Sequence, residues 1–511
     1  MNRLFSSGKT VSLKENSKWL IFSVIMLLIF IMAARTPVDN DLWWHLRIGE
    51  ASWDAGHPIM TDQFSFTRFG AVWTNQEWLS QIALYGLYRL GGFLAIGAVV
   101  ALLASASLAL VYIQMGEPAL LKAFVIVLAT MVAAPVWVPR AELASLVFLA
   151  AVGYLLYLYK WKQKDRLWLF IPLFILWSNV HGGYALGLIL CGAMVAGEAL
   201  NNFLGFKGPE VLSVKRILRL VGWMIIAGLA VLINPNGIRM WLIPFQTVGI
   251  SALQNYIVEW ASPDFHQLFQ QPFIWMLIAL IASIGLSMRR LDGTDLVTLA
   301  IFTYLCLEAR RNFGPFAIAA SPILSRYLWP AMTAWVQRIT PTIKEMVARM
   351  KLLQNLSIPM TEEFVTVRTK LVNFGIVALL ATVGILRLYV VTSPSMVTTL
   401  EKESAPVGAV AWIQANHPGG NLFNSYNWGG YLLWTLRDYP VFVDGRTDLY
   451  SDEIINQWLQ VVNAEDGWQT ELNKWDINLI LIEPNWPIVK VLPYSGWKIL
   501  YQDSTSMVFG R

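Results

Sequence analysis

Near the start of the chain the sequence reads WLIFSVIMLLIFIMAA, from Trp19 to Ala34. The run carries no charge, and Ser23 is its only hydroxyl. A helix made of it has no polar face to turn toward water, so a bilayer is its natural solvent; a spanning helix takes ~20 mostly apolar residues. Lys14 and Lys18 precede it and no small-residue cleavage site follows, which marks an uncleaved helix and not a signal peptide. The 511-residue chain keeps this character throughout: 56% is hydrophobic, 14% is charged and the mean hydropathy is +0.51. Soluble domains average ~25% charged residues. Ten further apolar runs follow, at about 92–113, 120–138, 141–159, 167–180, 183–204, 218–233, 272–288, 295–307, 313–330 and 371–391. The expectation is a polytopic α-helical membrane protein of about eleven transmembrane helices.

Basic residues set the orientation. With eleven spans, one set of loops takes Arg3, Lys9, Lys14 and Lys18, then Lys160, Lys162, Lys164 and Arg166. The same side takes Lys207, Lys215, Arg216, Arg219, Arg289 and Arg290, and finally Arg338, Lys344, Arg349, Lys351, Arg368 and Lys370. By the positive-inside bias that side is cytoplasmic. The N-terminus is then inside, segment 331–370 is a basic amphipathic surface linker, and the chain after residue 391 is outside. Residues 1–391 thus read as a transmembrane domain with outer loops at 35–91 and 234–271. Residues 392–511 read as an extracytoplasmic α/β domain. Helical stretches there, Val407–Gln414 and Asp452–Val462, alternate with the short apolar runs Val441–Val443 and Ile477–Ile482. Cys191 and Cys306 both fall in apolar runs, which suits buried thiols better than a disulfide framework. The net charge of +5 is modest and tracks topology, so nothing points to nucleic acid.

The first outer loop concentrates polar chemistry. It contains Asp39-Asn40-Asp41-Leu42-Trp43-Trp44-His45-Leu46-Arg47, with Asp41 placed to cap a helix that runs to about Ala55 and stops at Gly56. On that helix Asp41 and His45 share a face, as do Trp43 and Arg47. His57, Asp62 and Glu77 follow in the same loop. Read locally, Asp41 is a cap and the tryptophans an interfacial belt. Read with its neighbours, a carboxylate beside a cation at the bilayer surface is equipped to act as a general base.

The stretch Asp41 to Arg47 has the form Asp-x-aromatic-aromatic-x-x-Arg and resembles the first outer-loop motif of the catalytic subunit of oligosaccharyltransferase. More broadly, the chain resembles the GT-C class of polyprenyl-phosphate-sugar-dependent glycosyltransferases, bacterial membrane proteins grouped with it included. The topology is similar as well. In the last 120 residues or so, Tyr426-Asn427-Trp428-Gly429-Gly430-Tyr431 followed by Pro440-Val441-Phe442-Val443-Asp444-Gly445-Arg446 resembles the region that reads the acceptor peptide in that enzyme, without its Trp-Trp-Asp core. The resemblance implies a GT-C-like fold in a prokaryotic plasma membrane. It also implies inverting transfer from a polyprenyl-(pyro)phosphate-linked sugar to an extracytoplasmic protein, lipid or polysaccharide. Asp41 would be the base, with Asp39 as the alternate. Tyr426, Trp428, Asp444 and Arg446 would meet the acceptor. In some members the acids hold a divalent metal instead, which makes Mg2+ or Mn2+ the candidate cofactor and Asp41, Glu259, Asp264 and His266 the candidate ligands.

A departing lipid phosphate calls for guanidinium groups, which bind two oxygens at once. Arg310 and Arg311 stand at the outer end of the ninth span, Arg140 and Glu142 between the third and fourth, and Arg239 just after Asn234-Pro235-Asn236-Gly237. Arg47 and His181 (in Trp177-Ser178-Asn179-Val180-His181-Gly182-Gly183) join the candidate donor-binding residues. Each has a plainer reading as a side chain reaching the interface. There is no Walker loop, dinucleotide fingerprint or Gly-x-Ser-x-Gly elbow, so a nucleotide sugar held by a Rossmann domain is not expected. Two other readings remain open: a transporter or flippase for a lipid-linked or anionic solute, and a non-catalytic membrane receptor.

Overall fold

The computed structural model describes residues 15–116, 118–349 and 367–511. Arg3, Lys9, Lys14, Lys351 and the stretch 350–366 of the expected linker lie outside the described residues. The first half comprises α1 (Glu15–Ala33), α2 (Asn40–Ala55), α3 (Trp78–Ile113), α4 (Ala119–Ala133), α5 (Ala141–Lys160), α6 (Phe170–Val180), α7 (Tyr184–Phe203) and α8 (Val214–Ala230). Two short helices, α9 (Ile243–Val248) and α10 (Ser251–Tyr256), lead to α11 (Gln271–Leu286), α12 (Gly293–Glu308), α13 (Phe313–Arg349) and α14 (Val367–Val391). Each of the eleven apolar runs lies on one of these helices. Among the described residues six helices are long and apolar enough to cross a membrane, and 18–33 and 167–180 are shorter apolar helices. Apolar side chains cover their outsides: Leu371, Phe374, Leu379 and Ile385 on α14 are exposed, as are Phe124 on α4 and Trp275 on α11. Apolar faces of this extent are stable in lipid and costly in water.

The third helix begins earlier than the sequence suggests. It starts at Trp78 and bends at Gly91 and Gly92, where the backbone leaves helical geometry (φ 57°, ψ −145° at Gly92). The expected boundary at residue 92 is this bend. Charged Arg89 and the polar residues before it hid the helical turns on its outer side. Between 35 and 78, α2 lies against α3 and the C-terminal chain and buries Leu42, Trp43, Trp44, His45, Leu46 and Ile48. Its cap is Asp39, whose carboxylate accepts the Asp41 N–H at 3.0 Å, and not Asp41. That correction leaves the Asp41 side chain free for other partners. Gly56 ends the helix in a left-handed conformation, as expected.

After α14 come α15 (Pro394–Ser404), α16 (Val407–Asn416), β1 (Asn421–Asn424), α17 (Gly429–Thr435), α18 (Thr447–Val462) and α19 (Trp468–Lys474), then β2 (Ile477–Ile482), α20 (Ile488–Val491), β3 (Lys498–Gln502) and β4 (Met507–Gly510). The sheet has the order β1-β2-β4-β3, with β1 parallel to β2 and the other pairs antiparallel. β2 reads Ile-Asn-Leu-Ile-Leu-Ile and is buried along nearly its whole length, as a central strand should be. Val441–Val443 forms no strand; Val441 makes a single parallel bridge to Ser65. In α18 the backbone breaks at Ser451 (φ 53°), so its regular part begins at Asp452. Both expected cysteines are free and buried.

One buried ion cluster joins the loop between α2 and α3 to the C-terminal chain. Arg446 is fully buried and binds Asp444 through Nε (2.9 Å) and Nη2 (2.6 Å). Its Nη1 donates to Asp62 at 2.6 Å. The rings of Phe64, Trp73 and Tyr450 surround the guanidinium within 6 Å. Asp62 in turn accepts from the Ser65 hydroxyl at 2.6 Å and its N–H at 3.1 Å.

Candidate functional site

Arg140 is the hub. It precedes the first turn of α5, and its fork holds Asp39 at 2.6 and 3.0 Å. Nη1 also contacts Asp41 and Glu259, both at 3.0 Å. Three carboxylates from two interhelical loops therefore meet one guanidinium. Asp41 presents its other oxygen to the Trp44 indole N–H at 3.0 Å. Burial drives the Asp41 pKa up to about 6; Arg140 opposes that rise, and Asp39 and Glu259 add to it. Arg140 itself is held firmly protonated by its carboxylates against the cost of burial.

The C-terminal chain closes over this cluster. A Cβ on Gly445 would stand 2.2 Å from an Asp41 carboxylate oxygen, so only glycine allows so close an approach. Beyond Asp41 lies a polar cavity of about 140 Å³ walled by Trp44, His45, Trp73, Gln76, Glu77 and Asp448, among others. A larger cleft of about 470 Å³ adjoins it and mixes apolar walls (Val136, Val138, Ile257, Phe269, Phe313) with Arg310, Arg311 and Tyr426. Asp41, Arg140, Glu142, Glu259, Arg311 and Gly445 line both. Arg311 stacks on Trp260 (4.4 Å) and approaches Glu142 at 3.6 Å. Arg310 has no ion pair among the described residues.

Glu77 sits between two imidazoles, with His45 Nε2 at 3.5 Å and His181 Nε2 at 3.4 Å. Its pKa is pushed up to about 8, first by burial and then by Asp448, Asp41 and Glu142, with Arg311 opposing. Both histidines are held neutral, His181 at about 3, chiefly by burial. The tautomer of His181 follows from its neighbours. The Gly183 N–H donates to Nδ1 at 3.0 Å, and the Ser145 hydroxyl lies 2.8 Å from the same atom while accepting from Trp177. Nδ1 is thus an acceptor, and Nε2 carries the hydrogen that faces Glu77.

Of the residues named from sequence, Asp39, Asp41, Arg140, Glu259, His181, Arg310, Arg311 and Tyr426 are gathered around this one space, with Arg446 in the wall of the inner cavity. Arg47 lies off it, paired with Glu50 at 2.8 Å. Trp428 is buried and donates to the Ser404 carbonyl, while Asp444 is fully buried against Arg446. Asp264 caps the turn at His266, and neither lines the site. Among the described residues no three His, Cys, Asp or Glu side chains stand together as metal ligands. Three acids, Asp39, Asp41 and Glu259, do converge, with the Arg140 guanidinium among them. Glu77 was legible only as one of several acids in its loop, and Gly445 and Asp448 did not stand out as site residues, because they meet Asp41 and Trp73 across more than 370 residues of chain.

No family model matches the chain, and no curated protein matches its sequence. Its fold is nonetheless shared with solved structures. The oligosaccharyltransferase AglB from Archaeoglobus fulgidus, in complex with an inhibitory peptide and a dolichol-phosphate, aligns with a TM-score of 0.53 at 12% identity, over 91% of this chain and 69% of that one. The same oligosaccharyltransferase in the apo form gives 0.52 at 11% identity, over 92% and 70%. ArnT from Cupriavidus metallidurans in the apo state gives 0.50 at 13% identity, over 96% and 98%. The chain is an integral membrane protein with a GT-C-like fold.

Proposed function

We propose that this protein is an inverting glycosyltransferase that takes a sugar from a polyprenyl-(pyro)phosphate carrier and passes it to an extracytoplasmic acceptor. One observation carries the reading: Asp41 lines both an inner cavity and a larger cleft whose walls combine apolar side chains with Arg310 and Arg311. A cleft that pairs apolar walls with guanidinium groups suits a lipid phosphate. AglB, which shares the fold, was solved with dolichol-phosphate, and that supports the same ligand class here.

In the proposed step the acceptor O–H or N–H attacks the anomeric carbon as its bond to the carrier phosphate breaks. The proton passes to the Asp41 carboxylate, and the phosphate leaves with the electron pair toward Arg310 and Arg311. Asp41 is a better base than Asp39, because Asp39 caps α2 and is gripped at both oxygens by Arg140. Glu259 and Arg140 position Asp41. Tyr426 edges the cleft on the acceptor side, and its hydroxyl is tied to Thr447 at 2.6 Å. We place eleven spans in the bilayer, the N-terminus in the cytoplasm, and residues 392–511 outside as an acceptor-facing domain.

The test is turnover of radiolabelled polyprenyl-phosphate sugars by the purified full chain in proteoliposomes. Asp41→Asn is expected to lower turnover at least ~100-fold, in the range of a lost general base. R310A and R311A are expected to raise the donor KM. An Asp41→Asn protein that folds and turns over donor at the wild-type rate ends the proposal for this base.

A further inference from the structure

Asp41 and the arginines leave the inner cavity without a role. Its wall holds two buried polar atoms with no partner among the described residues, His45 Nδ1 and Gln76 Oε1. His45 is only 2% exposed. Two indole rings, Trp44 and Trp73, meet edge to face at 6.2 Å beside them. Its volume of about 140 Å³ suits one ring, not a chain. The cavity also opens onto the arginine cleft, which suits a ring joined to a phosphate.

Resting on the donor reading above, we infer that this cavity is the subsite for the transferred sugar, that the carboxylates around it restrict it to uncharged, hydroxyl-bearing sugars and exclude uronic acids, and that Glu77, held between His45 and His181, orients the hydrogen with which His45 meets such a sugar. A hydroxyl both donates and accepts, so it satisfies an unpaired imidazole nitrogen and an unpaired amide oxygen together. The C–H face of a sugar ring packs on an indole. A sugar carboxylate would instead enter a space already faced by the carboxyl groups of Asp41, Glu142, Glu259 and Asp448. The cations on that wall are occupied: Arg140 by Asp39, Asp41 and Glu259, Arg446 by Asp444 and Asp62, and Arg311, on the donor reading, by the carrier phosphate.

Glu77 acts as a neutral acid in this scheme. The hydrogen on His181 Nε2 faces one of its oxygens, and its own O–H faces His45 Nε2. That leaves a hydrogen on His45 Nδ1 for the ligand. Glu77 is faced by His45 and Asp41 from α2, Glu142 from the start of α5, His181 after α6, Asp448 from α18, and Arg311. Ionising it adds a negative charge and reverses the hydrogen at His45, so affinity for a neutral sugar falls as pH rises through about 8.

Binding of three synthetic ligands to the full chain in nanodiscs tests this: polyprenyl phosphate, polyprenyl-phosphate glucose and polyprenyl-phosphate glucuronate. The glucoside is expected to bind at least ~10-fold tighter than the bare phosphate, and the glucuronoside no tighter than it. Glu77→Gln, which mimics the neutral acid, is expected to keep this preference and hold it at pH 9, where the wild type loses it. Equal binding of glucoside and glucuronoside, or loss of the preference in E77Q at pH 7, overturns the inference. Failure of the bare phosphate to bind overturns the donor reading instead.

Discussion

Two carboxyls of the site rest in opposite protonation states at neutral pH, and that difference is a prediction at the scale of single residues. Asp41 must be ionised to act as a base, and its pKa is about 6. Glu77 must be protonated, and its pKa is about 8. Turnover measured as kcat/KM should therefore rise through about pH 6 and fall through about pH 8, and E77Q should abolish the alkaline fall alone. The two groups interact, so the limbs belong to the pair. A wild-type profile flat from pH 5 to 9 contradicts the assignment. At this scale the sequence was partly legible. Asp41, His45 and Arg47 stood out because they are spaced along one helix. The role of Asp39 as cap was not, because two acids two residues apart offer the same cap and only the loop before α2 decides between them. Glu77 looked like one loop acid among several. Its distinction comes from burial beside His181, which lies about 100 residues away in the chain.

Among elements, the helices were legible wherever an apolar run was continuous, and blurred where polar residues continued a helix past the apolar run, as at Trp78–Leu90. Invisible from sequence was how near the helices come. α7 and α12 pack glycine against glycine: a Cβ on Gly197 would stand 2.3 Å from Thr294 Cα, and one on Gly293 would stand 2.3 Å from the Gly197 carbonyl oxygen. Small residues let helix backbones approach in membranes. Beside this crossing Lys160 reaches Glu198 at 2.5 Å and Asp292 at 2.6 Å, with Thr294 bonded to the same Glu198 oxygen at 2.8 Å. Gly197→Ala must push the helices apart and stretch that cluster. It should cost roughly 1–3 kcal/mol, the usual price of overpacking. Thermal unfolding of the purified protein measures it, and an unchanged midpoint would show that the helices yield freely.

For the whole molecule, the joint between the first outer loop and the C-terminal chain matters most. Arg446, Asp444 and Asp62 are buried together. Replacing Arg446 with Met strands two carboxylates, and removing one partner of a buried ion pair costs about 3–5 kcal/mol. The expected result is a lower unfolding midpoint and faster proteolysis near residues 392–446, partly reversed by adding Asp62→Asn. Resistance equal to wild type would mean that the joint does not hold the two parts together. The eleven apolar runs and the α/β character of the tail were readable. The joint was not, since Asp62 and Arg446 are 384 residues apart and nothing in either stretch points to the other.

The seat of Gly445 against Asp41 has a consequence for biosynthesis. The inner cavity takes Gly445, Arg446, Thr447 and Asp448 as wall, while Asp41 belongs to the first tenth of the chain. A ribosome makes Asp41 and the part of the wall from Trp44 to Glu77 early, and the part from Gly445 to Asp448 late. Through most of translation the nascent chain carries Asp41 without its last wall. On the proposed function, the site is complete only once that final segment has folded back over Asp41.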